Sequence, residues 1–462
     1  MTIELPPSPS RSAHPPSIGW QPLEAGPEPE IGDVGADADF DRADLLVTSA
    51  LALAVGALAG VVGAFYRLSL EAADRFRGVV VTFVQGEGLL GFTLLVAICA
   101  AAAFVAAWMV RRFSPHASGS GIPHVEAVLR GMAAPADFIL LPVKFIGGVL
   151  AIGSGLALGR EGPSVQIGAV IGHLVGRAAG RGWEDCRALL AAGAGAGLAT
   201  AFNAPMAGAV FVLEELVQKF EHRSALTALA ASSTAIATAH FILGDALEIR
   251  LPPLDYPAPA VGPLFFVLGL VMGMLGIFYN WLLLRTLTFY ESFSQTPIEF
   301  RAAATGALVG VLAWCAPGLV GGGEVITQAA VSGAQNIFIL PLVLLLRFGL
   351  GSASYAAGTP GGLFAPMLAL GALAGLLFGV VCGLLAPGLG VQPQAFAVVG
   401  MTALFTAAVR APLTGIVLAT EMTGSAVLLL PMLAACFTAM LAATVLRCPP
   451  IYESLRDRLL RR

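Results

Sequence analysis

The chain has 462 residues, of which 57% are hydrophobic and 12% are charged, and its formal net charge is −4. Its mean hydropathy is +0.83. Soluble globular proteins carry about 25% charged residues, so this composition excludes that class. It predicts an all-α protein that crosses a membrane many times, because helices satisfy their own backbone hydrogen bonds in lipid.

The N-terminal segment differs from the rest of the chain. Residues 1–45 hold nine Asp or Glu against Arg11 and Arg42, and they are rich in Pro, Ser and Gly. The segment lacks the basic n-region and apolar h-region of a signal peptide. Its composition is typical of chains that cannot bury a core. We therefore expect residues 1–44 to be a disordered acidic tail.

Apolar runs of the length that spans a bilayer, about 20 residues, follow the tail. They cover residues 45–65, 89–110, 225–241, 261–284 and 426–446. Two further runs, 163–176 and 364–385, contain Gly and Pro and are predicted to be short or broken helices. The expected architecture is a set of many unequal, tilted and broken helices.

Basic clusters orient the chain, because Lys and Arg concentrate on the cytoplasmic side of membrane proteins. The clusters are Arg111-Arg112, Lys219 with Arg223, and the four arginines at 456, 458, 461 and 462. They predict that both termini are cytoplasmic, in a bacterial inner membrane. The six cysteines show no metal-type spacing, and no metal or cofactor is expected.

The segment 159–163 (GREGP) places an ionisable pair beside an apolar, helix-like run. An ionisable residue at membrane depth indicates a functional site. Gly before Pro suits a helix N-terminus, where free N–H groups and the positive dipole end attract anions. This site could hold an anion, and Glu161 supplies an anion of its own. The two would compete.

Two blocks of the first half recur in the second half. Pro163, Gly168, Gly172 and Gly176 recur at an offset of 203 as Pro366, Gly371, Gly375 and Gly379, and residues 204–208 recur at an offset of 207 as 411–415. Small residues match by chance where membrane helices pack closely. Two ordered blocks with nearly one offset favour a duplication instead. We assign residues 45–245 and 258–446 to two membrane repeats, and 447–462 to a cytoplasmic C-terminal helix that carries Tyr452.

Duplicated halves with broken helices indicate a transporter site near the midplane. If the halves are inverted, the helix starts at Gly162 and Ala365 approach each other from opposite sides. An anion between them would be stabilised by helix dipoles and would not need a fixed positive charge. That balance would allow the anion to leave as well as to bind.

Three segments, 119–123 (GSGIP), 159–163 (GREGP) and 362–366 (GLFAP), resemble the signatures of the CLC family of chloride channels and chloride/proton antiporters. The resemblance covers roughly residues 45–460. It implies an inverted-repeat homodimer in lipid that carries chloride and protons, with one pathway per subunit, no cofactor and no nucleic acid. The residues after Tyr452 are too few for the nucleotide-sensing domains of many eukaryotic members, so none are expected.

The resemblance also implies an anion site. Ser120 and Tyr452 correspond to hydroxyl donors, joined by the backbone N–H groups of Leu363 and Phe364. Residues 160–162 would line the outer pathway, and these are Arg160, Glu161 and Gly162.

Glu161 corresponds to the family's gating glutamate, whose carboxylate takes an anion position and leaves it when protonated. Glu215 aligns with the internal proton glutamate, and Glu214 is a candidate to support that route. A plain acidic helix end remains the alternative for this pair. Lys144 and Arg160 are expected to enrich the pathway in anions, and snorkelling of Lys144 to the interface is an equal alternative.

The predicted function is the exchange of chloride for protons across a membrane. The alternative is a passive voltage- or pH-gated anion channel of the same fold. An intramembrane enzyme is disfavoured, because the sequence contains no H-E-x-x-H pair. One departure from the family is His124, which stands where relatives commonly carry an acid, and we expect a structural role for it.

Overall fold

The structure, a computed structural model, describes residues 42–461, so most of the predicted tail 1–44 lies outside the described residues. Residues 42–461 form seventeen α-helices and no extended strand. They are α1 Arg42–Gln85, α2 Gly88–Phe113, α3 Ile122–Leu129, α4 Leu140–Gly153, α5 Glu161–Ala178, α6 Trp183–Phe202, α7 Pro205–Phe211, α8 His222–Leu243, α9 Gly262–Ser292, α10 Ile298–Cys315, α11 Glu324–Val331, α12 Leu340–Ala356, α13 Phe364–Leu385, α14 Pro393–Val409, α15 Pro412–Thr423, α16 Leu429–Val445 and α17 Ile451–Leu460.

Six helices among the described residues are long and apolar enough to cross a membrane, namely α1, α2, α8, α9, α10 and α13. The protein is therefore an integral, multi-pass membrane protein. The prediction that residues 364–385 form a short or broken helix is wrong, because α13 is continuous over 22 residues. Pro366 lies in its first turn, where a proline removes no helical hydrogen bond. The glycines of α13 serve close packing.

The two halves repeat one arrangement of helices. In the first half α5 packs on α6 and α1 packs on α8, and in the second half α13 packs on α14 and α9 packs on α16. The eight helices α1–α8 thus correspond in order to α9–α16. This repeated order of helices agrees with the duplication that the two blocks favour.

Glycine allows the helices of each half to touch backbone to backbone. A Cβ atom at Gly168 would overlap the carbonyl of Gly193, and a Cβ at Gly193 would overlap that of Gly168. Gly371 and Gly400 form the matching contact in the second half. The glycines at 193–197 therefore serve helix packing, as expected for small residues in membrane helices.

Two glutamates cap helices across the boundary between the halves. Glu214 accepts hydrogen bonds from the backbone N–H groups of 413–414 at 3.0 and 2.7 Å, at the start of α15. Glu421 accepts them from 206–207 at 2.9 and 2.7 Å, at the start of α7. Each carboxylate meets N–H groups that the helix itself leaves unsatisfied, at its positive end. The reciprocal caps hold α7 and α15 together.

Two buried cations form a second matched pair. The Lys144 ammonium, on α4, donates to the carbonyls of residues 117 and 119 at 3.1 and 2.8 Å. Arg347, on α12 and 203 positions later, donates to the carbonyls of 319, 321 and 322 at 3.2, 2.8 and 3.0 Å. Lys144 is 0% exposed, which rules out snorkelling to the interface. Both cations hold the loop that precedes a short helix.

Candidate anion and proton site

The three signature segments meet at one point in the fold. The Gly119 N–H donates to the Thr359 carbonyl at 3.1 Å, and the Gly361 N–H donates to the Gly119 carbonyl at 3.0 Å. Gly159 and Gly362 exchange two backbone hydrogen bonds, at 2.9 and 2.6 Å. Segments that lie up to 242 residues apart in sequence are thus joined by backbone hydrogen bonds.

The paired glycines mark the axis of the repeat. Gly159 and Gly362 are corresponding residues at the offset of 203, and they form an antiparallel bridge with each other. Helices α5 and α13 both begin two residues after this bridge. Their N-termini, which carry positive dipole ends and free N–H groups, therefore converge on one region that favours an anion.

The predicted hydroxyl donors lie in this region and lack partners. Ser120 and Tyr452 are both 0% exposed. Neither the Ser120 Oγ nor the Tyr452 hydroxyl has a hydrogen-bond partner among residues 42–461. Buried hydroxyls usually form a hydrogen bond, so two buried hydroxyls without one, beside helix N-termini, are suited to bind an anion. A Cβ at Gly162 would overlap the Ser120 Oγ, which places Ser120 against the start of α5.

Phe364 forms an apolar wall of the same region. Its ring stacks on Tyr452 at a centroid distance of 6.0 Å and contacts Phe405 at 4.6 Å and Phe202 at 6.0 Å. The residue is fully buried and opens α13, directly after Leu363. The first N–H groups of a helix have no partner within it. The N–H groups of Leu363 and Phe364 are thus available to a ligand.

Glu161 puts its own carboxylate at the N-terminus of α13. It is the first residue of α5 and is 0% exposed. Its Oε2 accepts from the Ala365 N–H at 3.4 Å, and its Oε1 has no partner among the described residues. A Cβ at Gly159 would overlap this carboxylate, so the glycine leaves room for it. The carboxylate thus occupies a position suited to an anion.

Arg160 faces away from the central region. Its Nε donates to the Ala201 carbonyl at 2.9 Å, and its guanidinium forms an ion pair with Glu248. Glu248 also pairs with Arg67 at 2.8 Å. Burial favours the neutral form of Glu248, but Arg160 and Arg67 outweigh burial and hold its pKa below the ordinary value. Sequence reasoning missed Glu248, which follows an apolar run in the loop after α8.

Glu215 lies in the π-helical segment Val212–Val217 and is 6% exposed. It interacts electrostatically with Glu126 and Arg130. Glu126 in turn pairs with Arg130 at 2.7 Å and with Arg456 of α17 at 2.5 Å. This ion-pair network lies near Glu215, at the end of the molecule that carries the C-terminus. Sequence reasoning did not foresee it.

The Tyr452 hydroxyl lies within electrostatic range of both predicted proton carriers. It interacts electrostatically with both Glu161 and Glu215. Glu214, by contrast, is committed to the α15 cap, and its Oε2 also accepts from the Thr414 hydroxyl at 2.7 Å. The structure therefore gives Glu214 a place in helix capping, next to Glu215 but with its oxygens turned to the other half.

Two cavities approach the region from opposite ends. One, of about 710 Å³, is lined by His116, Arg301, Tyr355 and Arg458, and the other, of about 30 Å³, includes Glu161. The first residue of α10, Ile298, lines the large cavity. The loop that follows the other end of α10 leads to Glu324, which lines the small cavity. The 18 residues of α10 span about 27 Å. One cavity thus lies toward each end of α10, while Ser120, Glu161 and Tyr452 themselves are 0% exposed.

His124 takes part in packing beside the large cavity. It is 4% exposed, and its ring lies 4.5 Å from that of His116. Its Nδ1 lies 3.4 Å from the Gln166 amide nitrogen. These contacts agree with the structural role expected for this histidine. Within residues 42–461, no group of three or more His, Cys, Asp or Glu is placed to hold a metal.

Comparisons with known proteins agree with this geometry. The family described as "Voltage gated chloride channel" matches residues 102–444. The H(+)/Cl(-) exchange transporter ClcA of Vibrio cholerae serotype O1 (strain M66-2) is 37% identical over 418 residues, which cover 89% of each chain. ClcA of Salmonella typhimurium (strain LT2) is 37% identical over 419 residues, covering 89% of this chain and 88% of the relative.

Solved structures show the same fold. The crystal structure of a slow cyanobacterial Cl-/H+ antiporter has a TM-score of 0.86 at 31% identity, and covers 90% of this chain and 98% of that one. The family match spans well over half of the chain, and the curated relatives are aligned over nearly all of their length. The protein therefore belongs to the CLC family, the voltage-gated chloride channels and their exchanger relatives.

Proposed function

We propose that this protein exchanges chloride for protons, with Glu161 as the gate and Glu215 as the inner proton carrier. The observation that carries the proposal is the position of the Glu161 carboxylate. It lies fully buried at the N-terminus of α13, beside the orphan hydroxyls that suit an anion. Its relatives in Vibrio and Salmonella are named H(+)/Cl(-) exchange transporters, which supports the same activity here.

The gate works by charge. Ionised Glu161 resembles chloride in charge, so both compete for the N–H groups at the start of α13. A proton on the carboxylate cancels the charge and ends that competition, and chloride then takes the place. The anion is bound by neutral donors, so it is held less tightly than a buried cation would hold it and can leave again. These donors are the hydroxyls of Ser120 and Tyr452 and the N–H groups of Leu363 and Phe364.

The proton needs a second carrier on the other side of the anion. Glu215 fits this role because it is buried, lies beside the Glu126–Arg456 network near the C-terminal helix, and acts electrostatically on Tyr452 as Glu161 does. Chloride approaches through the 710 Å³ cavity along a different wall, lined by His116 and Arg458. Separate routes for the two ions permit coupled exchange.

We further propose that α17 and both termini face the cytoplasm of a bacterium, in its inner membrane. Arg458 of α17 lines the same cavity as the segment after Arg112, so these basic residues share one face. The positive-inside rule assigns that face to the cytoplasm. We propose a homodimer in which each subunit has its own pathway, since the whole site described above lies within one chain.

Reconstitution in liposomes tests the exchange. A chloride gradient should drive protons uphill through the wild-type protein, and Glu161→Gln should pass chloride without moving protons. The amide has nearly the same shape as the acid but carries no titrating charge. Chloride flux without proton movement in the wild type would identify a channel. Intact proton pumping by Glu161→Gln would remove the gate from this position.

A further inference from the structure

The small cavity beside the gate contains a carboxylate that the mechanism above does not use. The cavity of about 30 Å³ is lined by Glu161, Glu248 and Glu324, with Thr327 and Ala365. A space of this size holds one or two water molecules. Glu161 itself is 0% exposed, and its Oε1 has no partner among residues 42–461. The cavity therefore offers a proton a route to Glu161 from this face.

Glu324 is the carboxylate that joins the cavity to solvent. It opens α11, and its residue is exposed, whereas Thr327 on the next turn is buried. It interacts electrostatically with Glu161 across the cavity. No ion pair to Glu324 occurs within the described part of the chain at 4.0 Å or less. Glu324 thus contributes both to the exposed surface and to the cavity that Glu161 lines.

Glu248 is not suited to the same task. Its carboxylate is 10% exposed and is held between Arg160 and Arg67, which keep it ionised. An acid that is locked in two ion pairs gives and takes protons poorly near neutral pH. Arg160 and Arg347 are the further charged groups near Glu324. Arg160 is paired with Glu248, and the Arg347 guanidinium is bound to the carbonyls of residues 319, 321 and 322. Among residues 42–461, Glu324 remains the exposed carboxylate of this cavity that forms no ion pair.

We propose that Glu324 is the outer proton-transfer carboxylate, which collects protons from solution and passes them to Glu161 through water in the small cavity. The proton moves from the Glu324 carboxyl to a cavity water as that water gives a proton to the Glu161 carboxylate. Glu324 is left ionised and is protonated again from solution. The same steps run in reverse when protons leave. This proposal rests on the proposed exchange of chloride for protons.

The first test is Glu324→Gln in liposomes in which the wild-type protein pumps protons. Loss of a placed proton donor should slow both coupled fluxes on the order of tenfold, with an unchanged exchange ratio. Raising the concentration of a small impermeant buffer such as MES on both sides should restore the flux of the variant and leave the wild type unchanged. A residue with only a structural role would not respond to buffer.

Glu71→Gln is the matched control. Glu71 is a 41% exposed carboxylate that pairs with Arg67 at the same end of the molecule, but it does not line the cavity. It should exchange at the wild-type rate at every buffer concentration. Glu324→Asp, which keeps the acid, should retain most of the flux.

Three outcomes would overturn the proposal while the exchange itself stood. These are wild-type flux in Glu324→Gln at low buffer, slow flux that buffer does not restore, and a faster flux of both ions. The last would mean that Glu324 acts as a fixed charge that repels chloride from this face. A wild-type protein that pumps no protons would instead contradict the proposed function.

Discussion

The two halves of this protein share their scaffold and differ in their chemistry. Both halves keep a buried cation that clamps a loop, as Lys144 and Arg347 show, and both keep a glutamate that caps the other half. The corresponding positions 161 and 364, however, carry a carboxylate and a phenyl ring. Of the paired helices α5 and α13, only α13 thus receives at its N-terminus a carboxylate from the other half. The comparison teaches that helix packing imposes the same kinds of residue on both halves. The position at the start of α5 and α13 is free of that constraint, so it carries a titratable group in one half and a phenyl ring in the other.

The largest expected effect concerns the second titratable position. Glu215 corresponds to Met422 at the offset of 207. Glu215→Gln should abolish proton movement and leave chloride flux, because a neutral amide cannot carry the proton inward. Met422→Leu, the matched change in the other half, should keep the exchange ratio. The measurement is the flux of chloride and of protons in liposomes. Full coupling in Glu215→Gln would mean that Glu215 is an acidic helix end and carries no protons.

The buried cations should differ in what they contribute to stability. Arg347→Met leaves three carbonyls without their donor, and Lys144→Met leaves two. An unsatisfied buried group costs about 1–3 kcal/mol, partly offset here by removal of a buried charge. We expect a loss of roughly 3 kcal/mol for Arg347→Met and roughly 2 kcal/mol for Lys144→Met. Thermal unfolding in detergent measures both, and a reversed order would mean that burial of charge dominates at 347.

Ser120 distinguishes the loop 117–121 from its counterpart 319–323, which ends in three glycines. Ser120→Pro removes a hydroxyl and a backbone N–H, so chloride should lose at least one hydrogen bond, about 1 kcal/mol or more. Nitrate, with spread charge and three oxygens, should gain relative to chloride by roughly fivefold or more. Paired flux and binding measurements for both anions test this. An unchanged ratio would place Ser120 outside the anion site.

The reciprocal caps should give the smallest and most equal effects. Glu214→Gln and Glu421→Gln each weaken charge-assisted bonds to two backbone N–H groups. Each should lower stability by about 1 kcal/mol, since the amide oxygen still accepts one bond. Equal shifts in unfolding temperature would show that the caps are equivalent. A clearly larger loss of stability for one of the two variants would show that its cap contributes more to the contact between α7 and α15.

Most of the fold could be predicted from local pattern and repetition. The long apolar runs predicted α1, α2, α8 and α9, and the constant offset predicted two corresponding halves. The pattern failed at residues 364–385, where glycines that suggested a break serve contact with α14. A single sequence does not show which face of a helix a glycine occupies, so packing and interruption look alike.

The residues of the proposed site could be named from the sequence where signature segments contain them and not elsewhere. Ser120, Glu161 and Phe364 lie within the motifs, and the structure brings them together with Tyr452. Glu248, Glu324 and the partners of Glu126 were missed, because each lies far along the chain from the residues that it faces. Their positions depend on how loops return over the helix ends, and that return has no periodicity in sequence.

The bridge between Gly159 and Gly362 limits how the protein can move. A carrier that rocks one half against the other must part the surface between the halves in every cycle. Here two backbone hydrogen bonds cross that surface at its centre, and the caps at Glu214 and Glu421 cross it further out. Parting it would strand polar groups in a dry interior at about 1–3 kcal/mol each. The exchange proposed here therefore leaves this surface closed, and the Glu161 side chain is the part that the proposal requires to move.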